Sequence, residues 1–258
     1  MTAGGRAPGG PRASGGWRLH PVTELRSFVR AALVDPVPRD HTEPDWAFRR
    51  RRVVVVVTLL VGAALLTWAL RIEPGDPMFY VATFALAAAW AVGALVSGPL
   101  HLGRGHTRHG DVESRAVVQS LALGVMLLGL FLAGAVVVAR IPFLRDPVLT
   151  LLDHARYGSL AVVAVVTIVN GVAEELYFRG ALYAGVGRRH AVAVTTIVYA
   201  LVTATSGIPL LVFAAALVGV VVGLQRRVTG GILGPIVTHL TWSLGMLFLL
   251  PVVLDRLS

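Results

Sequence analysis

Residues 159–187 read SLAVVAVVTIVNGVAEELYFRGALYAGVG. From Leu160 to Val169 the only polar side chain is Thr167, and then Asn170, Glu174, Glu175 and Arg179 follow within ten residues. At helical spacing Asn170 and Glu174 stand one turn apart, as do Glu175 and Arg179, so the polar groups fall on two adjoining stripes of one helix. Everything else in the stretch is apolar or small. Such a helix suits a bilayer, where it satisfies its own backbone groups and needs no water along its length. The chain around it agrees: 55% of residues are hydrophobic, 14% are charged and the mean hydropathy is +0.74. These values belong to a polytopic membrane protein rather than a soluble domain. The predicted fold class is therefore all-α, a transmembrane helical bundle.

Working outward, apolar runs long enough to approach the ~20 residues of a membrane span occur at 53–70, 77–100, 116–139, 157–179, 191–206, 208–224 and 231–253. This predicts about seven spans. The fifth and sixth are short, are separated by Ser206-Gly207-Ile208-Pro209, and read as a helical hairpin. Gly219 and Gly223 form a Gly-x-x-x-Gly pair of the kind that lets helices approach closely. The 140–156 stretch reads as a connection. Three regions result: a basic tail over 1–47, three transmembrane helices with their loops over 48–156, and a motif-bearing core over 157–258.

Residues 1–20 are rich in Gly, Pro and Arg with little to bury, which predicts disorder. The following TELRSFVRAALV carries Leu25, Phe28, Val29, Ala32 and Leu33 at helical spacing. It reads either as an amphipathic helix lying on the bilayer or as more tail. All 23 basic residues are arginine, and the net charge is +9. They sit in the tail and beside the apolar runs, including Arg49 to Arg52, so they read as topology signals facing anionic headgroups, not as a nucleic-acid surface. Connections holding Arg104, Arg108, Arg115, Arg188, Arg189, Arg226 and Arg227 outweigh those holding Arg71, Arg140, Arg145 and Arg156. The expected orientation is N-terminus cytoplasmic and C-terminus outside. With no cysteine, thiolate catalysis and cysteine metal sites are excluded.

Of the 14 acids only Glu174 and Glu175 fall inside apolar runs, and of the eight histidines only His239 does. Ionisable groups at membrane depth cost at least about 2.5–3.5 kcal/mol on insertion scales and usually face the bundle interior for a function. Glu174 precedes Arg188 by 14 residues and His239 follows Arg227 by 12. At ~1.5 Å per residue both lie at one depth. Ser243 stands one turn beyond His239. Alone, Glu175 and Arg179 read as a structural ion pair, and His239 as an interhelical hydrogen bond. Together, carboxylate and imidazole at matched depth read as a shared site.

The Glu174-Glu175-x-x-x-Arg179 run followed by His239-x-x-x-Ser243 resembles two of the three motifs of the CAAX protease and bacteriocin-processing (CPBP) family of intramembrane endopeptidases. The third, Phe-x-x-x-His, has Tyr199 and Thr203 at its places here, and Ser243 stands where the family has Asn. The resemblance spans about 157–250. It implies a protease of the bacterial inner membrane, multi-pass, acting on a membrane-associated protein or peptide. Glu174 then activates water, His239 and Ser243 stabilise the oxyanion, Glu175 and Arg179 accompany them, and Thr203 replaces a histidine. The resemblance also implies a divalent zinc, but one or two carboxylates and one histidine fall short of the three protein ligands of catalytic zinc, so the cofactor stays open. Rivals are a non-catalytic relative that binds or chaperones a membrane protein, and a small carrier, which lacks the internal repeat expected of it.

Overall fold

In the computed structural model the described residues are 21–38, 41–106, 115–157, 159–187 and 189–257. The expected disorder of 1–20, and the topology arginines Arg108 and Arg188, lie outside them. The regular structure among the described residues is helical, with no strand. In order it forms α1 (Pro21–Leu33), α2 (Asp45–Ala69), α3 (Met78–Ser97), α4 (Val117–Val138), α5 (Pro142–Tyr157), α6 (Leu160–Glu175), a π-helical turn (Leu176–Leu182), α7 (Tyr183–Val186), α8 (Ala191–Ala204), α9 (Pro209–Thr229) and α10 (Leu233–Leu257).

Among the described residues six helices are long and apolar enough to cross a membrane: α2, α3, α4, the continuous stretch Leu160–Val186, α9 and α10. Helix α8 has 14 residues, about 21 Å of rise against the ~30 Å of a bilayer core, so the expected seventh span is a short helix. It pairs with α9 as the predicted hairpin. The outer faces are oily, with Val53, Val56, Val57 and Leu60 of α2 all more than half exposed, as side chains that meet lipid should be.

Small residues set the helix spacing. A Cβ on Gly62 would stand 2.2 Å from the Trp90 ring, and one on Gly93 would stand 2.2 Å from the Thr58 hydroxyl, so α2 and α3 touch where each offers a glycine. Gly219 and Gly223 lie against Thr196 and Val192 of α8. The buried Trp90 stacks on Tyr177 at 4.4 Å and Phe178 at 5.2 Å between centroids. The Tyr177 hydroxyl donates to the Val55 carbonyl at 2.7 Å. This core fastens α2 and α3 to the π turn beside the glutamates. On the other side Gln225 Nε2 donates to Ser120 Oγ at 2.9 Å and Thr238 Oγ1 to Gln225 Oε1 at 3.0 Å, tying α4, α9 and α10.

Two expectations need correction. The 140–156 connection is the helix α5, carrying Pro147 within it, and its Leu152 packs on Ala139 and Leu254. Nor are the arginines all topology signals. Arg51 is fully buried and donates to both carboxylate oxygens of Glu43, to Ser97 Oγ at 3.1 Å and to the Pro99 carbonyl at 3.2 Å. Arg226 is buried as well, its Nε donating to the Arg179 carbonyl at 2.7 Å and its guanidinium lying over the Tyr183 ring. Helix α1 is present and packs along α9, with Leu25 and Val22 on its exposed surface.

Candidate active site

The apolar run of α6 ends on the two glutamates, and at Leu176 the helix widens into a π turn that runs to Leu182. Such turns are rare and recur at functional sites. Glu175, the last residue before it, is fully buried. Its Oε1 accepts from Arg179 Nη1 at 3.0 Å and meets His239 Nδ1 at 2.7 Å. A carboxylate can only accept, so Nδ1 carries the hydrogen and the other ring nitrogen, Nε2, is left for a different partner. Glu175 therefore joins the π turn to α10 and fixes the tautomer of His239.

Glu174 faces another way. Its Oε2 accepts from the Tyr199 hydroxyl of α8 at 2.7 Å. It lines a cavity of about 250 Å³, together with Asn170, Tyr199, Thr203, His239, Trp242 and Ser243. That volume holds several waters at ~30 Å³ each. An apolar cavity of about 520 Å³ adjoins it and shares Leu151, Thr167, Leu211, Ala214, Trp242 and Ser243 as walls. Helix α5 contributes Leu151 to both.

Of the residues expected at the site, Glu174, Thr203, His239 and Ser243 line this mostly apolar cavity, while Glu175 and Arg179 are not among its walls. The matched depth of Glu174 and His239 brings them to one cavity, but the hydrogen bond of His239 goes to Glu175. Thr203 Oγ1 donates to the Tyr199 carbonyl at 2.9 Å and Ser243 Oγ reaches the Leu240 carbonyl at 3.4 Å, so both hydroxyls turn back on their own helices. Tyr199 was not expected to take part. Its only signal in the sequence is a phenol four residues before Thr203, where the resemblance has Phe. Several buried polar atoms have no hydrogen-bond partner here: Glu175 Oε2, Arg179 Nε and Nη2, Asn170 Oδ1 and Trp242 Nε1. Each unpaired group costs about 1–3 kcal/mol; Asn170 and Trp242 line the cavity, so their unpaired atoms suit polar atoms from outside.

A catalytic zinc does not fit these residues. Among the described residues no three His, Asp or Glu side chains come together as ligands. Glu175 Oε1 and His239 Nδ1 are moreover spent on each other, and Glu174 Oε2 on Tyr199.

Residues 156–245 match the family of type II CAAX prenyl endopeptidases, Rce1-like. The resemblance to CPBP proteases is borne out over that stretch. The Rce1-like segment contains every polar residue of the cavity, the π turn and the Glu175–Arg179–His239 cluster. Neither a curated protein nor a solved structure matches the chain.

Proposed function

We propose that the chain is an intramembrane endopeptidase that hydrolyses a peptide bond of a membrane-associated protein or peptide with water activated by Glu174. The observation that carries the reading is that Glu174 and His239, both within the Rce1-like segment, stand on the wall of one cavity. Glu174 takes a proton from water as the water oxygen attacks the carbonyl carbon. The tetrahedral oxyanion accepts from His239 Nε2, which requires the ring to carry both hydrogens. Glu174 then returns the proton to the amide nitrogen as the C–N bond breaks. With Glu174 and Glu175 ionised and Arg179 and His239 charged, the cluster is neutral overall, which makes it tolerable at membrane depth. The adjoining apolar cavity accommodates an oily part of the substrate beside the scissile bond.

The arginine distribution supports an N-terminus on the cytoplasmic side, the six long apolar helices support multi-pass residence in a membrane, and the resemblance implies the bacterial inner membrane. The test is cleavage of a quenched peptide library by purified protein in detergent. Glu174→Gln keeps the shape, removes the base and is expected to reduce cleavage to background with the fold intact. Cleavage by this variant at the wild-type rate would refute the mechanism, and a wild type that binds peptides without cleaving them would favour the non-catalytic relative.

A further inference from the structure

Glu174 needs a partner to hold its carboxylate, and the position from which the resemblance supplies one is occupied by Thr203, whose hydroxyl is spent on its own helix at the Tyr199 carbonyl. One turn earlier, Tyr199 reaches the carboxylate instead. We infer that Tyr199 is a positioning residue for Glu174: its hydroxyl holds Oε2, so that Oε1 is the oxygen presented to water in the cavity. The inference rests on the reading of Glu174 as the base.

The placement of the phenol is over-determined. Its ring packs on Phe178 at 4.7 Å between centroids, and the Arg179 guanidinium lies over its face at 4.8 Å. The π turn that supplies Phe178 and Arg179 directly follows the glutamates in the chain. One arginine therefore pins both Glu175, through the ion pair at 3.0 Å, and the ring that holds Glu174. Among the described residues Tyr199 is the hydrogen-bond donor that Glu174 has. Without it the carboxylate is free to rotate about a terminal torsion that is intrinsically broad, and a base that must sit within hydrogen-bond reach of a water loses its alignment. Phenylalanine at this position would pack equally well and hold nothing.

The test is Tyr199→Phe in the full chain, which deletes one oxygen and leaves the ring. The hydroxyl is engaged with Glu174 Oε2, so kcat is expected to fall about tenfold to a hundredfold, the range of a hydrogen bond to a charged group, while KM stays within about twofold. Melting in detergent is followed in parallel. An unchanged kcat overturns the inference. So does a Tyr199→Phe protein that fails to fold, because the hydroxyl would then be a structural group. A second readout needs no turnover: labelling of Glu174 by dicyclohexylcarbodiimide, an apolar carboxyl reagent, with Glu174→Gln as the blank. Removing the hydroxyl from Oε2 is expected to raise the labelling rate about threefold or more. If wild type cleaves nothing, the protease reading fails, and labelling alone decides about Tyr199: a raised rate upholds its hold on Glu174 and an unchanged rate overturns it.

Discussion

Removing the Arg179 guanidinium isolates the energetics of the buried cluster. Arg179 and Glu175 are both fully buried and paired at 3.0 Å, and the same carboxylate oxygen meets His239 at 2.7 Å. Arg179→Met keeps most of the side-chain volume but leaves Glu175 with the imidazole as its partner. Breaking a buried pair in this way costs about 3–5 kcal/mol, because it strands a charge. The guanidinium also lies over the Tyr199 ring at 4.8 Å, a contact worth about 0.5–2 kcal/mol when desolvated. Glu175→Gln in the Arg179→Met background removes the stranded charge, so the double variant is expected to be more stable than the Arg179→Met single. The coupling from the full cycle should then be about 2–4 kcal/mol. The assay is reversible unfolding in mixed micelles, with helicity as the signal. Effects that add to within ~0.5 kcal/mol would show that the two groups are neighbours without being energetic partners, and would refute the assignment of the cluster as a charge-balanced unit.

Other outcomes follow from the same structure. Thr203→His places an imidazole on the wall of the 250 Å³ cavity and is expected to raise cleavage about tenfold, below the ~10²–10⁴ of a fully aligned acid–base group; a well-folded variant with no gain over wild type would refute this. With α8 crossing as a short seventh span, reporter fusions at Ser14 and Ser258 should place the N-terminus inside and the C-terminus outside; an inner C-terminus would show that only the six long helices cross, and an outer N-terminus would overturn the arginine count. His101, in the connection between α3 and α4, titrates below its ordinary value because it is partly buried and faces Arg226, with Arg51 adding to this and Glu43 opposing it. The unfolded chain thus binds the proton more readily, so stability should be constant above about pH 6.5 and fall as the pH drops below it. Unfolding of His101→Gln should lack this component, and an identical pH profile for the two proteins would refute it.

How far the sequence could be read depended on how local each signal was. Glu174, Glu175 and His239 stood out because carboxylates and imidazoles are rare at membrane depth, and a count of residues from the flanking arginines brought Glu174 and His239 to one layer. The pairing of Glu175 with Arg179 needed only helical spacing. Arg51 and Arg226 were misread because an arginine at a membrane edge looks the same whether it faces headgroups or the partners that α3 and the π turn supply. Helix α5 was hidden by Pro147 and by its charged residues, which also suit a loop. The engagement of Tyr199 with Glu174 depends on how α8 is rotated against α6, which follows from long-range packing. The π turn has no compositional mark at all.

The ties of Arg51 have a consequence for the making of the protein. Ser97 lies 46 residues and Pro99 lies 48 residues further along the chain, and at ~5–20 residues per second their synthesis takes about 2–10 s. Through that interval Arg51 lacks the Ser97 and Pro99 partners of the finished fold. Glu43, eight residues upstream, is already made and travels with it. The carboxylate thus serves as a travelling counter-ion for the nascent helix, and α3 inherits a charge that has been neutralised in advance.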